Sequence, residues 1–375
     1  MPPTIFSKLV DPRFPSAAIG LESSNATVVH LERQRGGNGF VIRRAATITL
    51  PEGLVRPSFD EPNIGDVNTL AGLLSEAATS AGLAKQRRWS MGLPEAAVRA
   101  AILTLESAPA SRGELEEILS WKYERAFGRS EGGLRVSRER LTPDAQGRPR
   151  YLAVATHDAV LAEYEAVFAA LGWHAGLVLP RHQGESRWLL NHQGLGDALL
   201  VSSHAEGFTA VLLRNRQPAI VRSVMCDPED RDDEFYRLLL FYRDRLSSAE
   251  AASDLQRLLV VGEGFDKERV GQIANETLEI SLRPLGPAEV GLAVPSGDFS
   301  FDAIAAPAGL AALAWAESKV SKQASQGPES KPKSGLHPAF IRRLTMPCSR
   351  IPTADSWPRT LARRAAPETF KVPGS

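Results

Sequence analysis

The chain has 375 residues with 44 basic and 44 acidic side chains, so its formal net charge is zero, and 43% of it is hydrophobic. That length supports roughly two or three domains with cores of their own, and the charge balance excludes a global electrostatic grip on nucleic acid or an anionic membrane. Cys226 and Cys348 are too few for a disulfide framework or a cysteine zinc site and fit a reducing compartment, which points to the cytoplasm.

Met1-Pro-Pro-Thr-Ile-Phe lacks the basic segment and apolar stretch of a secretory signal, and residues 1–16 read as an extension. Residues 18–22, 27–31 and 39–43 are short apolar runs separated by Ser, Asn and Gly, hence strands joined by tight turns, with 45–50 a further candidate. Val67, Leu70, Leu73, Leu74 and Ala77 then recur at helical spacing, and Gly82 closes that run. Residues 89–94 and 97–105 read as strands. In 114–127 Leu115, Ile118, Leu119, Tyr123 and Phe127 form one stripe of an amphipathic helix, followed by a turn at Gly132 and Gly133. A strand at 151–155, a helix at 157–171 ended by Gly172, and a strand at 176–179 complete the first half.

A second strand cluster follows at 198–202, 208–213 and 219–224, its last two members joined by a polar turn that suits a hairpin. A helix at 235–246, a strand at 257–261 and a helix at 267–278 come next. The order of strands, helix and strands thus recurs, which implies an α/β protein of two similar lobes. The lobes are placed at 17–180, with an inserted subdomain at about 95–150, and at 181–315. The Ala-rich stretch at 303–316 is shorter than the roughly 20 residues of a membrane span; interrupted by Pro307, it reads as a buried helix start. Residues 316–375, rich in Ser, Lys, Gln, Gly and Pro, read as a disordered tail made basic by Arg342, Arg343, Arg359, Arg363 and Arg364.

No HExxH, GxxxxGK[ST], GxSxG or paired CxxC occurs, so no catalytic residue is assigned. The seven histidines form no metal-like pair on one helix face; each reads as a surface or locally bonded residue, and no metal site is assigned. Three loops stand out by their ordered placement. The first holds Glu22, Ser23, Ser24 and Asn25 between two strands, where hydroxyls and turn amides suit a phosphate. The second, with Ser202, Ser203, His204 and Gly207, occupies the equivalent place in the later lobe. The third, Gly262-Glu263-Gly264, follows an apolar strand, where glycine lets backbone pass close to a planar ligand. Each alone is an ordinary turn.

With these features the sequence resembles the PilM-like branch of the actin-like ATPase superfamily, cytoplasmic type IV pilus assembly proteins related to the division protein FtsA. The family's opening "G-[IV]-D-[IV]-G-S-S-S" is represented by Gly20-Leu-Glu-Ser-Ser-Asn. Its linking helix "L-x-E-A-[IV]-x-W-E-A-E-x-[YF]" is matched by Leu115-Glu-Glu-Ile-Leu-Ser-Trp-Lys-Tyr-Glu-Arg-Ala-Phe127, with Trp121 and Glu124 in place. The likeness spans residues 17 to 315. Departures fall in the nucleotide motifs: Glu22 replaces an Asp, Ser202 and His204 stand where Asp and Gly are expected, and Glu263 interrupts a glycine pair.

The resemblance implies a two-lobed actin-like, ribonuclease H-like α/β fold. It also implies a cytoplasmic scaffold at the inner face of the inner membrane that docks the N-terminal segment of a PilN-like inner-membrane protein and links it to pilus motor components. A peptide held by strand addition or in an apolar groove suits this role. Trp121, Tyr123 and Phe127 are the anchor candidates, set against the plainer role of packing their own helix. The cofactor the family implies is ATP with Mg, and loss of the carboxylate and glycines should weaken both binding and hydrolysis. The alternatives are an active ATPase, with Ser23, Ser24 and Asn25 on phosphate and Gly262 to Gly264 along the adenine, and a GspL-like type II secretion component.

Overall fold

The computed structural model describes residues 14–35, 37, 39–128, 133–191, 196–245, 255–295 and 299–315. Most of the expected N-terminal extension, Gly132 and the expected tail at 316–375 lie outside the described residues.

Three sheets organise the chain. In the first, β1 (Ala17–Leu21), β2 (Asn25–Arg33) and β3 (Phe40–Thr49) form an antiparallel meander. On its other side β4 (Arg88–Leu93) runs parallel to β1 and β8 (His174–Pro180) parallel to β4, while the short β13 (Leu292–Ala293) pairs with β3. The second sheet repeats that plan: β9 (Asp197–His204), β10 (Gly207–Arg214) and β11 (Gln217–Met225) are the meander, and β12 (Leu255–Val261) lies parallel to β9. The stretches at 39–43 and 45–50, expected as separate strands, are one strand, because β3 pairs with β2 along its length with one irregularity at His30 and Leu31.

Alternation along each strand decides which helices cover which face. On the first sheet Ile19, Leu21, Val28 and Met91 face α1 (Val67–Ser80) and α3 (Asp158–Ala170). Ala18, Val29, Leu31 and Leu177 turn the other way, toward α4 (Arg181–Asn191) and α7 (Phe301–Ala312). In the second sheet Ala198, Leu200, Val211 and Leu259 meet those same two helices, while Leu199, Val201, Phe208 and Val260 meet α5 (Arg231–Arg245) and α6 (Lys267–Leu278). The outcome is five layers with α4 and α7 in the middle. Strand β9 is covered on both faces and buried throughout, its polar residues included.

Helix α4 was not expected, since Arg181-His-Gln-Gly-Glu-Ser-Arg187 has no apolar stripe; nevertheless nine of its eleven residues are buried. It is held against α7 by backbone proximity. A Cβ on Gly309 would run into the Gly184 carbonyl, and one on Gly184 into the Ala306 carbonyl. Beside the crossing, Trp188 Nε1 donates to Ala305 O at 2.8 Å. The expected interruption at Pro307 does not end α7. The proline ring stands 3.0 Å from where Gly20 would carry a Cβ, so a glycine in β1 makes room for it.

The third sheet, of β5 (Arg99–Thr104), β6 (Leu134–Leu141) and β7 (Arg150–His157), is antiparallel in the order β5-β7-β6 and carries α2 (Arg112–Phe127) on one face. It is the inserted subdomain, and its closing strand takes it to His157, past the expected limit near 150. β6 was missed because Arg135, Arg138, Glu139 and Arg140 obscure its alternation.

Gly309→Ala should cost about 3 kcal/mol or more, because two backbones must part to admit the methyl group. Gly72→Ala, in mid-helix α1 with nothing within 4 Å of the added carbon, should gain roughly 0.5–1 kcal/mol. Denaturation midpoints of the two variants in urea check both signs.

Candidate functional site: the cleft between the lobes

The carboxyl ends of the parallel strands in both sheets converge on one cleft, the place where open α/β sheets hold ligands. From the first lobe come the β1–β2 turn and Glu95 just beyond β4; from the second come the β9–β10 turn and the Gly262–Gly264 loop beyond β12. The N-terminal ends of α4 and α7 also point into it. There Asp302 of α7 accepts from the Gly262 amide at 3.1 Å and pairs with Lys267 at 2.8 Å.

A buried ionic network fills the first-lobe side. Arg181, directly after β8, pairs with Glu22 beyond β1 and with Glu185 one turn along its own helix, the latter at 2.8 Å. His182 bonds to the Glu95 carboxylate through both its amide and its Nδ1, at 2.7 and 2.8 Å. His204, buried in the second lobe, bonds to Glu206 at 3.2 Å and acts electrostatically on Glu22 and Glu95. The expectation that every histidine is a surface or locally bonded residue thus fails for His182, whose partner lies 87 residues away. Three carboxyls share this space with Arg181 and His182. Burial pushes the Glu22 carboxyl up to about 7, against the pull of Arg181, with Glu185 adding repulsion. Glu95 is held down at about 2: burial opposes ionisation, but the charge and hydrogen bonds of His182 prevail. His182 Nε2, Glu185 Oε2, Ser202 Oγ and His204 Nε2 remain without hydrogen-bond partners.

On the second-lobe side Arg231, at the start of α5, enters beneath the glycine loop. Its Nη1 donates to Ser203 Oγ at 3.2 Å and Glu263 O at 3.3 Å, and its Nη2 to His204 O at 2.7 Å and Ala205 O at 2.9 Å. Gly264, at φ 96°, leaves the space this guanidinium occupies, and Gly262 lets the loop lie against the Ser203 carbonyl. Ser203 Oγ donates to Glu263 O. The glycines expected to admit a planar ligand therefore admit an arginine and a neighbouring strand.

Glu22, Ser23 and Ser24 do come together with the second lobe. Ser23, Ser24, Thr49, Leu50, Arg56 and Glu206 line an open hollow of about 490 Å³. Asn25 opens β2 and gives its carbonyl to the Glu22 amide at 2.9 Å. Gly207 serves the sheet instead: a Cβ there would strike the Val224 carbonyl of β11. Among the described residues, no group of three or more His, Cys, Asp or Glu side chains is arranged to hold a metal ion. Sequence reasoning missed Glu95, Arg181, His182, Glu185 and Arg231; the i, i+4 pairing of Arg181 with Glu185 was the one local signal.

The partner candidates lie elsewhere. Trp121 is 56% exposed on the outer side of α2, with Arg125 5.6 Å and Lys122 5.8 Å from its ring. Tyr123 is half-buried, and Phe127 is buried against the insert's own sheet. On the opposite face of that sheet, between β7, β4, β8 and α3, the buried Leu93, Val98, Val154, Leu161, Val178 and Leu179 leave an apolar gap of only about 10 Å³.

With this geometry in view, comparison with solved structures is direct. A chain of the PilM-PilN type IV pilus biogenesis complex superposes with a TM-score of 0.63 at 19% identity, covering 82% of this chain and 99% of that one. The fold is actin-like. The cytoplasmic domain of EpsL, an inner-membrane component of the Vibrio cholerae type II secretion system, gives a TM-score of 0.42 at 11% identity over 80% of this chain and 94% of that one. A Bacteroides thetaiotaomicron protein with an actin-like ATPase fold and unknown function gives 0.41 at 11% over 80% and 97%. No family model and no curated protein matches the chain.

Glu22 makes stability depend on pH in a definite sense. Its folded pKa of about 7 lies above the ordinary value of 4.5, so the folded state holds a proton that the unfolded state has released between those values. Stability from this group is full below about 4.5, falls as pH rises toward 7 and is flat above. Relative to Glu22→Gln, the parent should lose roughly 1–3 kcal/mol between pH 5 and 8. Urea denaturation of both proteins across that range measures it; parallel curves would contradict the assignment.

Proposed function

We propose that the chain is a non-catalytic scaffold of type IV pilus assembly that docks the N-terminal segment of a PilN-like inner-membrane protein. On this reading it works in the cytoplasm, sits at the inner membrane through that partner and connects it to motor components. The observation that carries the non-catalytic part is the occupancy of the cleft by the protein's own cations. A Mg-triphosphate needs free carboxylates for the metal and free amides for the phosphates. Here Glu22 and Glu185 are engaged by Arg181, Glu95 by His182, and the glycine loop by Arg231. These residues do not suit the nucleotide.

The partner is suggested by the fold shared with the chain of the PilM-PilN type IV pilus biogenesis complex. The apolar gap between the insert and the first sheet is smaller than one side chain, so the exposed Trp121 on the outer face of α2 is the candidate anchor for a peptide segment. No helix among the described residues is long and apolar enough to cross a membrane. The rival reading, an active ATPase, draws on the open hollow beside Ser23 and Ser24.

Two titrations separate these readings. Mg-ATP should give no binding heat with the folded protein, whereas micromolar binding would favour the ATPase. A PilN-like N-terminal peptide should bind, weakening about tenfold or more in Trp121→Ala. A melting curve confirms that the variant is folded. Unchanged binding by the variant would move the dock off α2, and no capture by the parent would remove the scaffold reading.

A further inference from the structure

At the far end of the second lobe, a strand's length from the cleft, three arginines from three elements meet at the C-terminal end of α4. Arg257 of β12 donates from Nη1 to Leu189 O at 3.0 Å and from Nη2 to Gly196 O at 2.8 Å. Arg216, in the β10–β11 turn, donates from Nη2 to Leu190 O. That turn places Asn215 at φ 51° and Arg216 at φ 63°, and an arginine is not a residue that left-handed backbone favours. Arg187 of α4 itself is half-buried, and its Nε is shut off from solvent with no acceptor; Arg257 Nε is in the same condition.

Helix capping accounts for two of the three. Cations at a helix C-terminus satisfy its last carbonyls, and Arg257 and Arg216 do so at Leu189 and Leu190. Arg187 caps nothing. Burial, and behind it repulsion from Arg216, push Arg187 down to about 10, and the same two causes lower Arg257. Asp197, the carboxylate that acts on Arg257, is already held by Arg214 at 2.7 and 3.0 Å and by the Tyr242 hydroxyl at 3.2 Å. A half-buried cation facing like charges without an anion is costly unless something completes it.

We infer that Arg187, Arg216 and Arg257 form an anion site for a phosphate or phosphoryl group, separate from the cleft. Guanidinium groups match phosphate and carboxylate oxygens alike. Arg257 spends both terminal nitrogens on the Leu189 and Gly196 carbonyls and so contributes charge, while Arg187 and Arg216 contribute the remaining donors; a phosphate, with up to two negative charges, meets that excess better than a carboxylate. Bound there, the anion ties the end of α4 to β12 and to the β10–β11 hairpin.

The test uses the full chain in phosphate-free buffer, with inorganic phosphate titrated against sodium chloride of equal ionic strength. About 10 mM phosphate should raise the melting temperature by roughly 2–4 °C beyond the chloride control, and calorimetry should give one site. Arg187→Met should weaken that binding about tenfold or more, yet melt no lower than the parent in phosphate-free buffer, because it relieves repulsion. Glycerol 3-phosphate distinguishes the sources: binding as tight as phosphate marks a phosphoryl site open to larger molecules, and exclusion marks a site for the free ion. The proposal is overturned if phosphate gives no stabilisation beyond chloride. It is equally overturned if Arg187→Met binds phosphate unchanged, or loses the same stability with and without phosphate, as a purely structural arginine would.

Discussion

The contact between α4 and α7 at Gly184 and Gly309 is the constraint on which the other features rest. It lets two helices share one thin layer between two sheets, so each sheet finds an apolar cover on its inner face. Ala18, Val29 and Leu31 of one sheet and Ala198, Leu200 and Val211 of the other belong to a single core built around these helices. The same closeness fixes where the helix ends fall. The first turn of α4 carries Arg181, His182 and Glu185 into the cleft, and Asp302 at the start of α7 reaches the Gly262 amide. Gly20 extends the device by seating Pro307, so a residue that commonly ends helices packs α7 onto β1.

What the cleft contains follows from burying charge. Carboxylates moved out of water need a cation or a proton. Glu95 is satisfied by His182 and stays ionised; Glu22, sharing Arg181 with Glu185, is pushed toward neutrality. Arg231 meets the same demand by another route, with four neutral oxygens around its two terminal nitrogens. Such networks seldom add much net stability, yet removing one member strands the others, so they favour a single arrangement.

Much of the layered fold was legible in the sequence, because period-2 and period-3.6 apolar patterns report burial directly. The meander of β1 to β3, helices α1 and α6 and the second hairpin all appear close to where alternation and spacing put them. Elements that failed to appear are those whose burial is polar. In α4, Arg181 and His182 are covered because Glu22 and Glu95, just beyond β1 and β4, meet them, and neither partner is local in sequence. β6 hides its alternation behind Arg138, which bonds to Glu116 of α2. The three cleft loops could be located from their glycines and serines. Their contents could not, since Arg231 lies in the acidic run Asp230-Arg-Asp-Asp-Glu234, which reads as a solvated helix start.

The two ends of α4 therefore pose opposite electrostatic problems. At the cleft end the buried carboxylates are met by the chain's own cations, Arg181 and His182. At the other end an excess of guanidinium is resolved only in part, by the helix's own carbonyls. The Arg181–Glu22 pair ties the first turn of α4 to the β1–β2 turn, and a covalently attached charge does not dissociate as a small ion does. The proposed scaffold role draws on this arrangement, since covalently attached cations oppose the opening and closing on which a catalyst of this architecture depends.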